Sequence, residues 1–149
     1  MTNPVFGHKE DHVDYQHRYG VYAIIPNKEQ DQLILVQAPN GAWFLPGGEI
    51  EGDENHLEAL ERELIEELGF KARFGEYFGQ ADEYFYSSHR DAHFYNPAYL
   101  YEVTSFEEVG QPLEDFNTLA WFPIQEAKTK LKRGSHQWGV ESWQKKYQK

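Results

Sequence analysis

The sequence predicts an α+β fold in which a central mixed sheet is flanked by helices. Three observations carry this. Short runs rich in β-branched and aromatic residues outnumber helical stretches, and each is bounded by proline, asparagine or glycine. One stretch in the middle of the chain has strong leucine periodicity at helical spacing. Two further helical segments close the chain, so strands and helices both contribute to one packed unit. With 149 residues, 40% of them hydrophobic and 16% aromatic, the chain has material for a single domain with its own core. It has no cysteine, which excludes thiol nucleophiles, disulfides and thiolate metal sites.

In chain order, residues 1–17 are polar and carry His8, His12 and His17. Their spacing is loose and no helix holds them, so they are read as an N-terminal arm and not as a metal site; the domain proper is taken as 18–149. Tyr19 to Ile25 and Gln32 to Ala38 read as strands, separated by Pro26-Asn27 and followed by the turn Pro39-Asn40-Gly41. Trp43-Phe44-Leu45 is a third short strand, ended by Pro46-Gly47-Gly48. A helix is expected from about Asp53, as N-cap, to Leu68, with Gly69 just beyond its end. Phe70 to Tyr86 and Ala92 to Val103 are strand material around the polar loop 87–91, and Asn117 to Phe122 is one more strand. Pro123 opens a helix to about Leu131. Gly134 separates it from a last helix running through Tyr147.

The formal charge of −11 argues against an enclosing surface for nucleic acid. The charge is uneven, since seven of the fourteen basic residues but only two of the 25 acids lie beyond residue 122. That basic tail is read as a solvated helix face in preference to a phosphate-steering surface. No stretch approaches the ~20 apolar residues of a membrane span, and the start lacks a basic segment followed by an apolar one. The expectation is a cytoplasmic protein without membrane contact. A homo-oligomer is compatible with the sequence, which carries no mark for or against it.

On a wheel of 100° per residue, Leu57, Leu60, Leu64 and Leu68 form the buried stripe of the central helix. Opposite them Glu63, Glu66 and Glu67 share one face at i, i+3 and i+4. Each such like-charge pair costs an isolated helix about 0.2–0.5 kcal/mol. Arg62 reaches Glu58 and Glu66 at four-residue spacing, but Glu63 and Glu67 have no basic neighbour at i±3 or i±4. A solvated acidic helix would look similar. A divalent cation is the alternative, because clustered carboxylates are hard ligands suited to Mg²⁺, Mn²⁺ or Ca²⁺.

The surrounding residues decide between these. From Gly48 to Phe70 the chain reads G-E-I-E-G-D-E-N-H-L-E-A-L-E-R-E-L-I-E-E-L-G-F. Every fixed place matches the Nudix box, G-x5-E-x7-R-E-U-x-E-E-x-G-U with U apolar. Trp43 to Gly48 resembles the family's strand leading into the box, and Trp121-Phe122-Pro123 with Glu126-Ala127 resembles its last strand and closing helix. From about Arg18 to Leu131 the sequence thus resembles the MutT-like Nudix hydrolases, whose fold is an α/β/α sandwich.

The resemblance implies hydrolysis of the pyrophosphate bond of a nucleoside diphosphate linked to another group, with Mg²⁺ or Mn²⁺ as cofactor and a small-molecule nucleotide as partner. It implies metal ligation by Glu66, Glu67 and Glu63 with a backbone carbonyl of Gly47 or Gly48. Arg62 then holds a carboxylate in place, and Glu54 either assists the metal or complements the helix N-terminus. The catalytic base falls to Glu63 or to a loop acid, Glu114 or Asp115. Nine aromatic residues lie between Tyr77 and Tyr101, and those that do not face the core are available to stack on a base. Tyr86 stands sixteen residues beyond the box, where relatives acting on dinucleoside polyphosphates often carry tyrosine; a nucleoside triphosphate is the other expectation. Arg18, His89 and Arg90 are candidate phosphate contacts. A nucleotide-sensing module without turnover is the alternative function, disfavoured because every box glutamate is present.

Overall fold

Side-chain alternation along one central strand sets the layering. The computed structural model describes residues 3–113 and 117–147. Strands β1 (Val5–Phe6), β2 (Gln16–His17), β3 (Gly20–Ile24), β4 (Gln32–Gln37), β5 (Trp43–Phe44) and β6 (Gly47–Glu49) precede helix α1 (His56–Leu68). The long strands β7 (Phe70–Ser87) and β8 (Ala92–Glu108) follow, then β9 (Thr118–Pro123) and helices α2 (Ile124–Lys130) and α3 (Gly134–Tyr147). A mixed sheet has the order β1-β7-β8-β3-β6, with β2 also paired to β8, and a second, antiparallel sheet has the order β5-β4-β9.

Val21, Ala23 and Ile25 point to one side and pack with Ile34 and Val36 against Ala59, Leu60, Leu64 and Leu68 of α1. Ile24, Leu33 and Leu35 point to the other side and pack with Ala127, Leu131, Val140 and Trp143 of the C-terminal helical region. Period-two alternation thus buries both strand faces, each under a helix. This is the expected α+β sandwich, with the strands divided between two sheets. Among the described residues no helix is long and apolar enough to cross a membrane.

Local chemistry refines the expected elements. The N-cap of α1 is Asn55 instead of Asp53: its side chain accepts from the Glu58 N–H at 2.8 Å, and the Glu58 carboxylate accepts from the Asn55 N–H at 2.9 Å. This reciprocal box starts the helix two residues later. Glu58 is therefore engaged at the cap, away from Arg62. Leu57, now in the first turn, is 42% exposed and leaves the stripe, which consists of Ala59, Leu60, Leu64 and Leu68. Gly69 ends the helix in the left-handed conformation, as expected.

Two strands come from residues 1–17: Val5–Phe6 runs parallel to β7 and Gln16–His17 parallel to β8. The chain after Pro46 is also a strand. Gly47–Glu49 pairs antiparallel with β3, placing Gly47 opposite Tyr22 and Gly48 opposite Val21. Glycine has poor strand propensity, so this element rests on its tertiary pairing.

Candidate active site

The acidic face of α1 does not look into water. It lies against β6, and the two are joined by specific contacts. The Gly47 N–H donates to Glu67 Oε1 at 2.9 Å. Glu63, only 13% exposed, brings its carboxylate against Gly48, where any Cβ would run into it. Gly47 has φ of 143° and a Cβ there would strike the Val21 carbonyl. Gly47 therefore requires glycine for its backbone angle and its backbone contact, whereas a side chain at Gly48 would displace the Glu63 carboxylate from its place.

Arg62 organises the carboxylates around it. Its Nε and Nη2 donate to the two oxygens of Glu54 at 2.7 and 3.0 Å, a forked pair. Nη2 also donates to the Glu49 carbonyl at 2.9 Å, and Nη1 to Glu66 at 3.3 Å. Glu63 and Glu51 lie at 3.7 Å. The hydrogen bond from Arg62 holds the Glu54 carboxyl below its ordinary range, and the Arg62 guanidinium is correspondingly raised. Glu54 thus serves as the partner that fixes the arginine.

The donor set of Glu63, Glu66, Glu67 and the adjoining glycine backbone consists of hard oxygens, the ligand type that Mg²⁺ and Mn²⁺ take. Gly48 supplies the cradle that lets main chain and carboxylate approach. Among the described residues no three acidic or histidine side chains already converge on one point. Glu66 turns to Arg62 and Glu67 to the Gly47 N–H, so the carboxylates are held by protein donors in this arrangement. In donor chemistry the residues fit a divalent cation.

Beside this face opens a cleft of about 280 Å³. Gly47, Gly48 and Glu67 line one part of it; Phe44, Phe85, Phe94, Arg133 and His136 line another. His136 is 1% exposed, and its Nδ1 accepts the Leu45 N–H at 3.0 Å, so its proton resides on Nε2. Burial, with the nearby Arg133 charge, lowers its pKa to about 3 and keeps the ring neutral. Arg133 lies 3.3 Å over the Phe85 ring and 5.4 Å from the Phe44 ring. Burial lowers its pKa, opposed by the charge of Glu83.

The structure brings together only part of the set expected from sequence. Arg18 and His89 line the cleft with Gly47, Gly48 and Glu67. Tyr86 does not: it is 50% exposed, and its hydroxyl donates to Asp91 across the hairpin loop. Alternation explains this, since Phe85 and Ser87 take the cleft side of β7 and Tyr86 takes the other. Arg90 is also outside the lining, its guanidinium 5.8 Å from the Phe94 ring. Glu114 and Asp115 lie outside the described residues. Sequence reasoning missed Arg133, His136, Asn96 and Tyr22 as cleft residues. Only the positive excess of the C-terminal segment hinted at Arg133, one basic residue among seven.

A sequence model described as the NUDIX domain matches residues 16–143, most of the chain and the whole region that builds the box and cleft. The chain belongs to the NUDIX family. Nudix hydrolase 6 of Arabidopsis thaliana is 33% identical over 118 residues, which cover 74% of this chain and 40% of that protein. The CTP pyrophosphohydrolase of Escherichia coli is 44% identical over 62 residues, covering 38% of this chain and 44% of that one. The matched Nudix segment thus spans less than half the length of either relative. Among solved structures, the E. coli ORF135 protein superimposes with a TM-score of 0.63 at 26% identity, over 88% of this chain and 91% of that one. MutT from Methanosarcina mazei Go1 superimposes with a TM-score of 0.71 at 22% identity, over 92% and 99%, a likeness of the Nudix fold.

Proposed function

We propose that this chain hydrolyses the phosphoanhydride of a nucleoside diphosphate linked to a further group, with Mg²⁺ or Mn²⁺ held by Glu63, Glu66, Glu67 and a main-chain carbonyl of Gly47 or Gly48. One observation carries the reading: the acidic face of α1 meets the aromatic cleft at Glu67, which lines that cleft while accepting the Gly47 N–H. A nucleotide base in the aromatic part would set its phosphates beside the carboxylates. When bound, such a cation screens the anhydride charge and polarises its oxygens. Relatives named as a CTP pyrophosphohydrolase and as a putative 8-oxo-dGTP diphosphatase support the same class of substrate.

The chain's own residues have separable tasks. Arg62 is fixed by its forked pair with Glu54 and donates to Glu66 by one longer bond, which keeps it beside the carboxylates that would hold the cation. Arg18 and His89 offer donors to phosphate oxygens from the cleft wall. The base that takes a proton from the attacking water is assigned to Glu63 or to the loop acids Glu114 and Asp115; full activity in both Glu114→Gln and Asp115→Asn would leave Glu63. A nucleoside triphosphate is the first substrate to test, because Tyr86, the feature pointing to dinucleoside polyphosphates, faces away from the cleft.

Product release should be measured over nucleoside triphosphates, dinucleoside polyphosphates and nucleotide sugars, with Mg²⁺ or Mn²⁺ and with a chelator. Release that depends on the cation is expected. Absence of release from every compound, or undiminished release in chelator, would overturn the assignment.

A further inference from the structure

The cleft wall at the start of α3 carries two side chains, Arg133 just before the helix and His136 within it, with N–H groups that donate to no described residue. Arg133 presents a planar guanidinium with five N–H donors and no acceptor. It stacks on Phe85 and approaches Phe44, and its attraction to Glu83 is purely through space. None of its N–H groups donates to a described residue. His136 is more constrained. With Nδ1 accepting from Leu45, Nε2 must be the donor, and it too has no partner among the described residues. The ring is 1% exposed, lines the cleft and lies 4.3 Å from the Tyr22 ring, so it cannot turn to find another partner without losing its bond to Leu45.

Both residues line the cleft, where an acceptor on a ligand can meet their N–H groups. Two such donors side by side in one cleft, walled by Phe44, Phe85 and Phe94, describe the complement of a flat ring with neighbouring acceptors. A terminal phosphate fits less well. His136 is neutral, Arg133 is already partly balanced by Glu83, and the surrounding walls are aromatic. The donors assigned to phosphate oxygens, Arg18 and His89, line the cleft together with Glu67, Gly47 and Gly48.

We propose that Arg133 and His136 form a base-reading subsite that selects nucleobases presenting two adjacent acceptors. Guanine offers O6 and N7, and cytosine offers O2 and N3; adenine pairs each ring acceptor beside its amino group with a donor, and uracil places N3–H between its two oxygens. Arginine matches a two-acceptor edge with its fork, and lysine cannot. The Phe85 stack holds that fork in one orientation. This names the substrate class of the site proposed above and rests on that reading for what fills the rest of the cleft.

Binding of nucleoside monophosphates tests it without turnover. GMP, CMP, AMP and UMP are titrated into the full chain by calorimetry in the presence of Mg²⁺. GMP or CMP, or both, should bind at least about tenfold more tightly than AMP and UMP, the scale of one good bidentate contact. The individual GMP and CMP affinities tell which acceptor edge is read. Arg133→Met should abolish the preference and Arg133→Lys should weaken it, with the melting temperature followed to confirm folding; His136→Phe should reduce it to a lesser degree. Equal affinity for all four nucleotides, or an unchanged preference in folded Arg133→Lys and His136→Phe, would overturn the proposal. Base preference without hydrolysis would sink the catalytic reading alone, and hydrolysis without base preference would sink the subsite alone.

Discussion

Arg62 on α1 and Arg133 in the cleft lining show how one residue type acquires opposite physical states. Arg62 is surrounded by Glu51, Glu54, Glu63 and Glu66, donates to a backbone carbonyl, and is held more firmly cationic than in water. Arg133 lies against aromatic rings, has its pKa lowered by burial, and donates to no described residue. The first is saturated and therefore positions other groups. The second is unsaturated and therefore available to a ligand. The number and geometry of satisfied donors, more than charge itself, separate a scaffold arginine from a recognition arginine.

The largest effect that sharpens this contrast is expected on the carboxylate side. Glu66→Gln or Glu67→Gln keeps the side-chain shape and an oxygen for the existing hydrogen bond but removes the charge. Turnover with Mg²⁺ should fall by at least about a hundredfold, with the melting temperature nearly unchanged. Comparable activity in both variants would show that this face has no catalytic part.

Next comes Arg62 itself. Arg62→Lys keeps the charge and loses the fork to Glu54, so an activity loss of about 10- to 100-fold is expected, the range for groups that orient metal ligands. The apparent Mg²⁺ requirement should rise with it. If Arg62→Lys is fully active while Arg133→Lys loses base preference, the saturated arginine is a surface ion pair and the comparison collapses on that side.

The smallest effect concerns stability on the aromatic side. Free histidine titrates near 6.5 and folded His136 near 3, so between these values the unfolded chain takes up a proton that the folded chain refuses. Stability from this residue is therefore complete above about pH 6.5 and is lost as pH falls toward 3, with a slope of up to about 1.4 kcal/mol per pH unit. Denaturant titrations of wild type and His136→Phe across that window should differ in slope. Parallel pH dependences would mean that His136 is not held neutral by the fold.

How legible was this in sequence? The box helix was legible because its signals are local: leucines at helical spacing, glutamates sharing a face, and a glycine that tolerates the left-handed end. Even there, Asn55 displaced Asp53 as the cap and Leu57 left the core, since capping competition is settled by side-chain geometry within two residues. The strand at Gly47–Glu49 was not legible, because glycine carries no strand preference and the pairing partner Val21-Tyr22 is distant in sequence. Tyr86 and Phe85 were indistinguishable by composition; only the register of β7 decided which one faced the cleft.

By itself the sequence determined the α+β class, the acidic helical face and the family to which the chain belongs, because each is written in short-range spacing that survives any choice of packing. The tertiary structure alone decided that Glu63 and Glu67 lie against glycine backbone, that Tyr86 points away, and that Arg133 and His136 join Phe44 and Phe85 in one cleft. Those are meetings between residues from about 15 to about 90 positions apart. They depend on strand register and helix docking, which no local pattern of side chains encodes.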